Sequence, residues 1–252
     1  MNTDLIIVTY NSAPYIEKCI DAIDTHTPSS YQIIVVDNGS TDDTVNLLKK
    51  LPHVELIEND INAGYARAVN RGIRQGTSET IAVMNPDVFV TDGWLTPLHE
   101  LLWSDEKNAI VAPKLINSAN QLVGVGTNWD WSAPYFMLPN KPGLLEEVRE
   151  CMAINGACFL LKRQLLDTIG LLDEQYFHYF EETDYCFNAN YCGYRVLFCP
   201  ASTVIHEYYP NPERIRQFIN TGYKARQSST ANGATGATGL LPKIRKSRSD
   251  WR

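Results

Sequence analysis

Residues 33–40 read IIVVDNGS, in which four β-branched apolar residues end in an acid, an amide, a glycine and a hydroxyl residue. Similar apolar-rich runs occupy 5–8, 54–57 and 81–84. Continuous β-branched runs are typical of strands buried on both faces. Helical apolar patterns at 15–23, 41–51 and 63–73 separate these runs. The alternation predicts an α/β fold with a parallel sheet and right-handed crossovers.

Polar clusters follow three of the predicted strands, at 9–11, 37–40 and 85–87. The carboxyl ends of parallel strands share one edge of a sheet, and ligands bind beyond that edge. We therefore expect the three clusters to converge on a common site.

The second half of the chain has a less regular pattern. Helices are predicted at 94–103, 163–169 and 181–191, and strands at 109–113, 158–161 and 195–198. Residues 117–150 are rich in turn formers and are predicted to be mostly loop. Residues 228–239 are low in complexity and predict a flexible linker.

Composition excludes several classes of protein. The 252 residues are 44% hydrophobic and 20% charged, which excludes a disordered chain, a collagen and a disulfide miniprotein. The six cysteines form no C-x-x-C pair, which argues against a zinc ribbon. The net charge of −7 argues against a nucleic-acid partner. With no signal peptide or membrane span in the pattern, we expect a cytoplasmic protein.

The charge is unevenly distributed. From Arg214 onward the chain carries nine lysines and arginines and one acid, so this tail is net +8 and the remainder net −15. A basic tail suits peripheral contact with an anionic membrane surface, at the inner face of the membrane. The alternative is a solvated, partly disordered end.

The common phosphate-binding loops are missing from the sequence. Residues 9–14 read TYNSAP where a dinucleotide-binding fold needs G-x-G-x-x-G, and there is no G-x-x-x-x-G-K-[ST]. A divalent metal is the obvious substitute, and Asp87 is well placed to hold Mg²⁺ or Mn²⁺ beside a diphosphate. The alternative is that Asn85-Pro86-Asp87 is only a turn.

An ordered set of motifs resembles a known family. IVTYNS at 7–12, VVDNGSTD at 35–42, NAGYA at 62–66 and MNPDV at 84–88 resemble the nucleotide-sugar half of the family 2 glycosyltransferases, which have the GT-A fold. NGACFLL at 155–161, GLLDE at 170–174, YFEETD at 179–184 and the segment from GYRV at 193–196 to His206 resemble the acceptor half. The most similar subgroup is the rhamnosyltransferase-like one.

The resemblance implies one GT-A domain at 1–210, with a nucleotide-sugar half at 1–92 and an acceptor half at 93–210. The basic tail at 211–252 follows it. It also implies a set of nucleotide-sugar contacts: Thr9, Tyr10, Asn11, Asp37, Asn38, Gly39, Gly64, Arg67, Asn70 and Asn85. Within that set Tyr10 would lie near the base and Asp37 would accept hydrogen bonds from the nucleoside. Arg67 would touch a phosphate, or else belong to a solvated helix face.

Asn85-Pro86-Asp87 stands where the family has its Asp-x-Asp metal motif. Asparagine replaces the first acid, so Asp87 would be the chief metal carboxylate. His206 stands where some GT-A enzymes place a further ligand, and a structural histidine is the alternative. The implied cofactor is Mn²⁺ or Mg²⁺.

Three acids in the YFEETD motif are the candidate catalytic residues. By family position Glu182 would be the base that takes the proton of the acceptor hydroxyl. Helical spacing places Glu181 and Asp184 on one face and Glu182 about 100° away, so we expect the first two to position the acceptor. The alternative is that the three acids only offset the helix dipole.

These features together predict an inverting glycosyltransferase of polysaccharide biosynthesis. It would move a sugar, rhamnose by subgroup likeness, from a dTDP- or UDP-sugar to a hydroxyl of a glycan or glycolipid. Two alternatives remain open at the sequence level. One is a non-catalytic module that binds a sugar nucleotide or glycan, and the other is a nucleotidyltransferase.

Overall fold

The structure, a computed structural model, describes residues 2–28, 30–126 and 145–207. The predicted basic tail at 211–252 and the predicted linker at 228–239 lie outside these residues. The strands are β1 (Thr3–Thr9), β2 (Tyr31–Asp37), β3 (Val54–Glu58), β4 (Thr80–Met84), β5 (Val88–Val90), β6 (Asn108–Ile116), β7 (Leu122–Gly124), β8 (Arg149–Glu150), β9 (Cys158–Lys162) and β10 (Arg195–His206). The helices are α1 (Ile16–His26), α2 (Thr44–Leu48), α3 (Tyr65–Gln75), α4 (Leu95–Trp103), α5 (Leu165–Ile169) and α6 (Glu181–Tyr191).

One sheet runs through the described residues in the order β3-β2-β1-β4-β9-β6-β10-β5, with β7 beside β6 and β8 beside β10. Strands β3, β2, β1 and β4 are parallel, as the alternating pattern predicts. Strand β9 then pairs antiparallel with both β4 and β6. The α/β fold is confirmed, and the predicted halves share a continuous sheet.

The apolar runs of β1, β2 and β4 are buried on both faces of the sheet, whereas the edge strand β3 is only partly buried. Along β1, Leu5 and Ile7 belong to one core and Ile6 and Val8 to the other. Helices α1, α2 and α4 contribute buried side chains to the first core, and helices α3, α5 and α6 to the second. The sheet therefore lies between two layers of helices, which is why its central strands have no polar face.

Two differences from the sequence expectations concern the last part of the sheet. Strand β5 is only three residues long and follows the predicted turn at 85–87. Strand β10 runs through Pro200 to His206, well beyond the predicted strand at 195–198. The pairing of β10 with β6 shifts register between Cys199 and Thr203, and this irregularity accommodates the proline.

A buried acid links β1 to the neighbouring part of the sheet. Asp4 is fully buried and accepts hydrogen bonds from the Ser78 hydroxyl (2.7 Å), the Ser78 backbone N–H (2.9 Å) and the Arg163 guanidinium (2.7 Å). Arg163 also donates to the backbone carbonyls of Ser78 and Ile73. One acid thus organises residues from three distant segments.

Asp4→Ala is expected to lower the free energy of unfolding by about 3 kcal/mol, because it leaves the Arg163 guanidinium and Ser78 without their acceptor. Urea unfolding measures the change. Asp21→Ala, which removes an exposed acid from α1, is the control and should change the free energy by less than about 0.5 kcal/mol. Equal effects of the two variants would contradict the assigned role of Asp4.

Candidate functional site

The polar clusters predicted to converge lie at the same edge of the sheet. Thr9 and Asp37 end β1 and β2 and are register partners, and Asn85 follows the end of β4. The neighbouring strands are parallel, so their carboxyl ends meet there. The first wall of the candidate site is built on this edge.

Asp37 organises the loop after β2. It is 2% exposed, and its carboxylate accepts from the Thr9 hydroxyl (2.9 Å), the backbone N–H groups of Gly39 and Ser40, and the Ser40 hydroxyl. All four lone-pair positions of the carboxylate are therefore engaged. The contact of Asp37 with a nucleoside stays a prediction. It requires that a donor group of the nucleoside replace one of the four donors that bind the carboxylate.

Asn11 and Tyr10 have different environments at the same edge. Asn11 has a left-handed φ of 52°, and its side-chain oxygen accepts from the backbone N–H groups of Thr41 (2.8 Å) and Asp42 (3.3 Å). Tyr10 beside it is 50% exposed. Asn11 joins the loops after β1 and β2, and the tyrosine ring stands open to solvent, where it can contact a ligand.

Asn38 and two glycines shape the loops that lead into α3. The Asn38 side chain donates to Asn62 Oδ1 (2.9 Å) and accepts from the Ala63 backbone N–H (3.0 Å). Gly39 and Gly64 have φ of 80° and 94°, and a Cβ atom on either would lie 2.8 Å from a backbone atom of a neighbouring loop. Only glycine fits at these two positions. The described contacts of these three residues are structural.

Asn70 makes structural hydrogen bonds across the fold. This residue is fully buried, accepts from the Leu172 backbone N–H (3.0 Å) and donates to the Leu172 carbonyl (2.9 Å) and to Glu174 (3.1 Å). Its amide is fully used in joining α3 to the segment after α5. A direct contact of Asn70 with the nucleotide sugar stays a prediction, and it would require the exchange of one of these hydrogen bonds.

Arg67 also differs from the predicted phosphate contact. Its guanidinium lies 3.6 Å from the Glu174 carboxylate, and Arg74 pairs with the same acid at 3.2 Å. The Arg67 side chain is 59% exposed. The structure therefore favours the alternative of a solvated helix face, because an exposed acid already partners this arginine.

Asp87 and His206 are brought together by a strand pair that periodicity did not reveal. Strands β5 and β10 are antiparallel with Val88 opposite His206, and Asp87 Oδ1 lies 3.4 Å from His206 Nε2. The Asp87 side chain is 27% exposed and that of His206 is 9% exposed. Within 2–28, 30–126 and 145–207, no group of three or more metal-ligating side chains is found. Asp87 and His206 are a pair of candidate metal ligands within these residues.

The opposite wall is the start of α6. The two residues before it, Tyr179 and Phe180, have left-handed φ of 72° and 71°, which is unusual for aromatic residues. Glu181 is 4% exposed, and its Oε2 atom has no hydrogen-bond partner among the described residues. Glu182 is partly exposed and accepts from the Thr183 hydroxyl (3.1 Å). Strained backbone beside a buried acid makes this segment a candidate functional one.

Glu182 packs directly on a glycine of the NGA segment. A Cβ atom on Gly156 would lie 3.0 Å from Glu182 Cγ and 3.2 Å from Cδ. Burial raises the pKa of Glu182 above its ordinary value. Burial and the charge of Glu182 raise the pKa of Glu181 well above its ordinary value. The two carboxyls therefore share an environment that disfavours two full charges.

Asp184 follows the glutamate pair in the first turn of α6. Its carboxylate accepts from the Asn188 side chain (3.0 Å) and bonds to the Tyr176 hydroxyl. Burial, then nearby charges that include Asp184 and Glu181, raise the pKa of Tyr176, so both acids lie near this aromatic side chain. The expectation that Glu181 and Asp184 position the acceptor stays a prediction.

Tyr65 joins the two walls, and sequence reasoning assigned it no role. Its hydroxyl donates to Asn85 Oδ1 at 3.0 Å. Burial, then the charges of Glu181, Glu182 and Asp87, raise its pKa well above the ordinary value. The charges of the aspartate after β4 and of the glutamates of α6 thus act on one side chain, so both walls lie near it. The only sequence signal was its place in the NAGYA motif.

Glu181→Gln is expected to stabilise the protein increasingly as the pH rises from 4.5 to 7. The folded-state pKa of Glu181 is raised, so the native state binds more protons than the unfolded state and loses stability as the pH rises. Glutamine cannot titrate and escapes this loss. Urea unfolding at several pH values measures it, with the exposed Glu79→Gln as control. A pH-independent difference would contradict the assignment.

Comparisons with known proteins agree with this architecture. A family model described as glycosyl transferase family 2 matches residues 4–170. The N-acetylglucosaminyl-diphospho-decaprenol L-rhamnosyltransferase of Mycobacterium tuberculosis is 26% identical over 80% of this chain and 75% of its own length. The low-salt glycan biosynthesis hexosyltransferase Agl10 of Haloferax volcanii is 25% identical over 80% of this chain and 66% of its own length.

Solved structures share the fold. The mannosyltransferase PcManGT of Pyrobaculum calidifontis, in complex with GDP-Man and Mn²⁺, has a TM-score of 0.68 and 19% identity over 93% of this chain and 65% of its own. GalNAc-T7 with UDP, GalNAc and Mn²⁺ has a TM-score of 0.69 and 19% identity over 82% of this chain. This chain spans only 44% of the GalNAc-T7 chain. The predicted GT-A fold is confirmed, and the chain belongs to glycosyl transferase family 2.

Proposed function

We propose that this protein is an inverting glycosyltransferase that moves a sugar from a nucleoside-diphosphate donor to a hydroxyl group of a lipid-linked or free glycan. The observation that carries the proposal is the placement of Asp87 and the Glu181–Glu182 pair around one tyrosine. Inversion needs a base on one side of the anomeric carbon and a stabilised leaving group on the other. The two walls of the crevice supply groups suited to these tasks.

Glu182 is the proposed base. It is the more exposed of the two glutamates, and burial raises its pKa, which makes its carboxylate a stronger base than an ordinary glutamate. The buried Glu181 holds a proton more strongly, which limits the charge of the pair. In the proposed reaction the acceptor hydroxyl gives its proton to the Glu182 carboxylate, and its oxygen bonds to the anomeric carbon. The bond to the nucleoside diphosphate breaks on the opposite face.

Asp87 and His206 fit a divalent cation, Mn²⁺ or Mg²⁺. Their donor atoms lie 3.4 Å apart, and both side chains keep some exposure. A carboxylate is a preferred ligand of both ions, and such sites are usually completed by substrate phosphates and water. When bound, the ion would neutralise charge on the departing diphosphate. The Mn²⁺ in both solved relatives named above supports this assignment.

The donor and acceptor classes rest on the mycobacterial relative, whose name specifies an L-rhamnosyl group and an N-acetylglucosaminyl-diphospho-decaprenol. We propose dTDP-rhamnose or a UDP-sugar as donor, and a sugar on a polyprenyl diphosphate as acceptor. Such an acceptor would bring the protein to the cytoplasmic face of a membrane. Among the described residues no helix is long and apolar enough to cross a bilayer. The anionic diphosphate would suit the basic tail at 211–252.

Thermal unfolding with UDP, dTDP, UDP-glucose and dTDP-rhamnose, each with Mn²⁺ or with EDTA, tests the proposed binding. A ligand selective for the folded state raises the unfolding temperature. We expect a rise with uridine or thymidine compounds only when Mn²⁺ is present, and slow donor hydrolysis by the wild type. Equal stabilisation in EDTA would contradict the metal assignment. Binding without turnover would favour the non-catalytic module.

A further inference from the structure

The start of α3 is held rigidly against the segment that leads to α6. The Tyr65 backbone N–H donates to the Phe177 carbonyl at 2.6 Å. The preceding Gly64 has a φ of 94°, and a Cβ atom there would lie 2.8 Å from the same carbonyl oxygen. This contact fixes the backbone of Tyr65 between the two walls of the crevice, so its ring has little freedom to move away.

The Tyr65 hydroxyl meets the side chain that replaces the first acid of the metal motif. It donates to Asn85 Oδ1 at 3.0 Å, and the Asn85 backbone N–H donates to the Ala157 carbonyl at 2.9 Å. Asn85 is partly exposed, and among the described residues none accepts a hydrogen bond from its Nδ2 atom. An asparagine amide has one acceptor and one donor group, on opposite sides. Because the Asn85 oxygen accepts from the Tyr65 hydroxyl, the amide nitrogen of Asn85 points away from that hydroxyl.

We propose that Tyr65 is a positioning residue that fixes the Asn85 amide with its nitrogen free to donate to an oxygen of the bound nucleotide sugar. This inference rests on the proposed function. In this proposal Asn85 acts as a hydrogen-bond donor to the ligand, and Asp87 is the carboxylate of the metal motif. A donor that is held in place before binding loses less freedom when the ligand arrives, so the tyrosine strengthens binding without touching the substrate.

Tyr65→Phe removes the hydroxyl and keeps the ring. Titration calorimetry with UDP-glucose and dTDP-rhamnose, each with Mn²⁺ and without acceptor, measures affinity independently of the glutamate pair's role in catalysis. We expect the ligand that binds the wild type to bind Tyr65→Phe about fivefold to tenfold more weakly, the cost of ordering one side chain on binding.

A double-mutant cycle with Asn85→Ala tests the route of the effect. When Asn85 is already alanine, Tyr65→Phe is expected to change affinity by less than about twofold, because the two residues act as one unit. An equal loss in both backgrounds, or no loss in either, would overturn the inference and leave the proposed function standing. If neither sugar nucleotide binds the wild type, the proposed function fails and this inference fails with it.

Tyr185→Phe is the matched control. Its hydroxyl donates to the Gly170 carbonyl at 3.0 Å, and the residue is 3% exposed within α6. The variant loses a tyrosine hydrogen bond of similar length away from Asn85. It is expected to lower the unfolding temperature and to leave nucleotide-sugar affinity unchanged. If it weakens binding as much as Tyr65→Phe does, the effect is one of stability, and the positioning role is rejected.

Discussion

Glu182→Gln is expected to lower kcat by about 1,000-fold while nucleotide-sugar affinity stays within about twofold of the wild type. Glutamine keeps the size of the side chain and its packing on Gly156, but it cannot accept the proton of the acceptor hydroxyl. The loss therefore concerns the chemical step and not binding. Release of nucleoside diphosphate in the presence of an acceptor measures kcat, and calorimetry measures affinity.

Asp184→Asn is the matched control for this experiment. Asp184 lies two residues further along α6 and bonds to Asn188 and Tyr176. It should keep most of the wild-type kcat. If Glu182→Gln keeps more than a tenth of the activity and Glu181→Gln does not, the roles of the two glutamates are reversed. The pH profile gives a second check. Activity must rise with pH through the raised pKa of Glu182, because only the ionised carboxylate accepts a proton.

Asp87→Asn is expected to abolish Mn²⁺-dependent stabilisation by nucleoside diphosphates and to lower kcat/KM by about 1,000-fold. Asparagine is a weaker metal ligand than a carboxylate. A bound metal stabilises the departing diphosphate in the transition state by several kcal/mol, which corresponds to about a thousandfold in rate. Thermal unfolding with Mn²⁺ and UDP or dTDP gives a readout that does not depend on turnover.

Asp92→Asn serves as the control for Asp87. Its side chain is 93% exposed and pairs with His26 beyond the end of β5. The Asp92→Asn variant also loses one aspartate near β5, but the pair of Asp87 with His206 stays intact. We expect unchanged metal-dependent stabilisation in this variant. Full Mn²⁺ dependence in Asp87→Asn would exclude Asp87 as the metal carboxylate.

The first half of the fold could be predicted from the sequence because its signals are local. The apolar runs at 5–8, 33–36 and 81–84 are buried on both faces, the run at 54–57 forms the partly buried edge strand, and helices separate the four runs. A chain in which strands and helices alternate in this order can adopt few topologies, since crossovers between parallel strands are right-handed. The polar residues after these strands were therefore expected at one edge, and Thr9 and Asp37 pair there.

The roles of single residues within those motifs were harder to predict. Asn70 and Arg67 belong to a stretch that resembles the family, yet their partners lie about 100 residues away, at Leu172 and Glu174. Asp184 bonds to Tyr176 and Asn188, neither of which belongs to the group of three acids. A motif shows which residue types occur together, but hydrogen-bond partners depend on segments that only folding brings near.

The sequence by itself determined the parallel β3-β2-β1-β4 sheet, the family and the types of residue at its edge, because periodicity and motif order are local properties of the chain. Tertiary structure alone decided that Asp87 meets His206 through the β5–β10 pair, and that Tyr65 links Asn85 to the acids of α6. These contacts join residues far apart in sequence. Their geometry depends on how the layers pack around the sheet, and no local pattern records that packing.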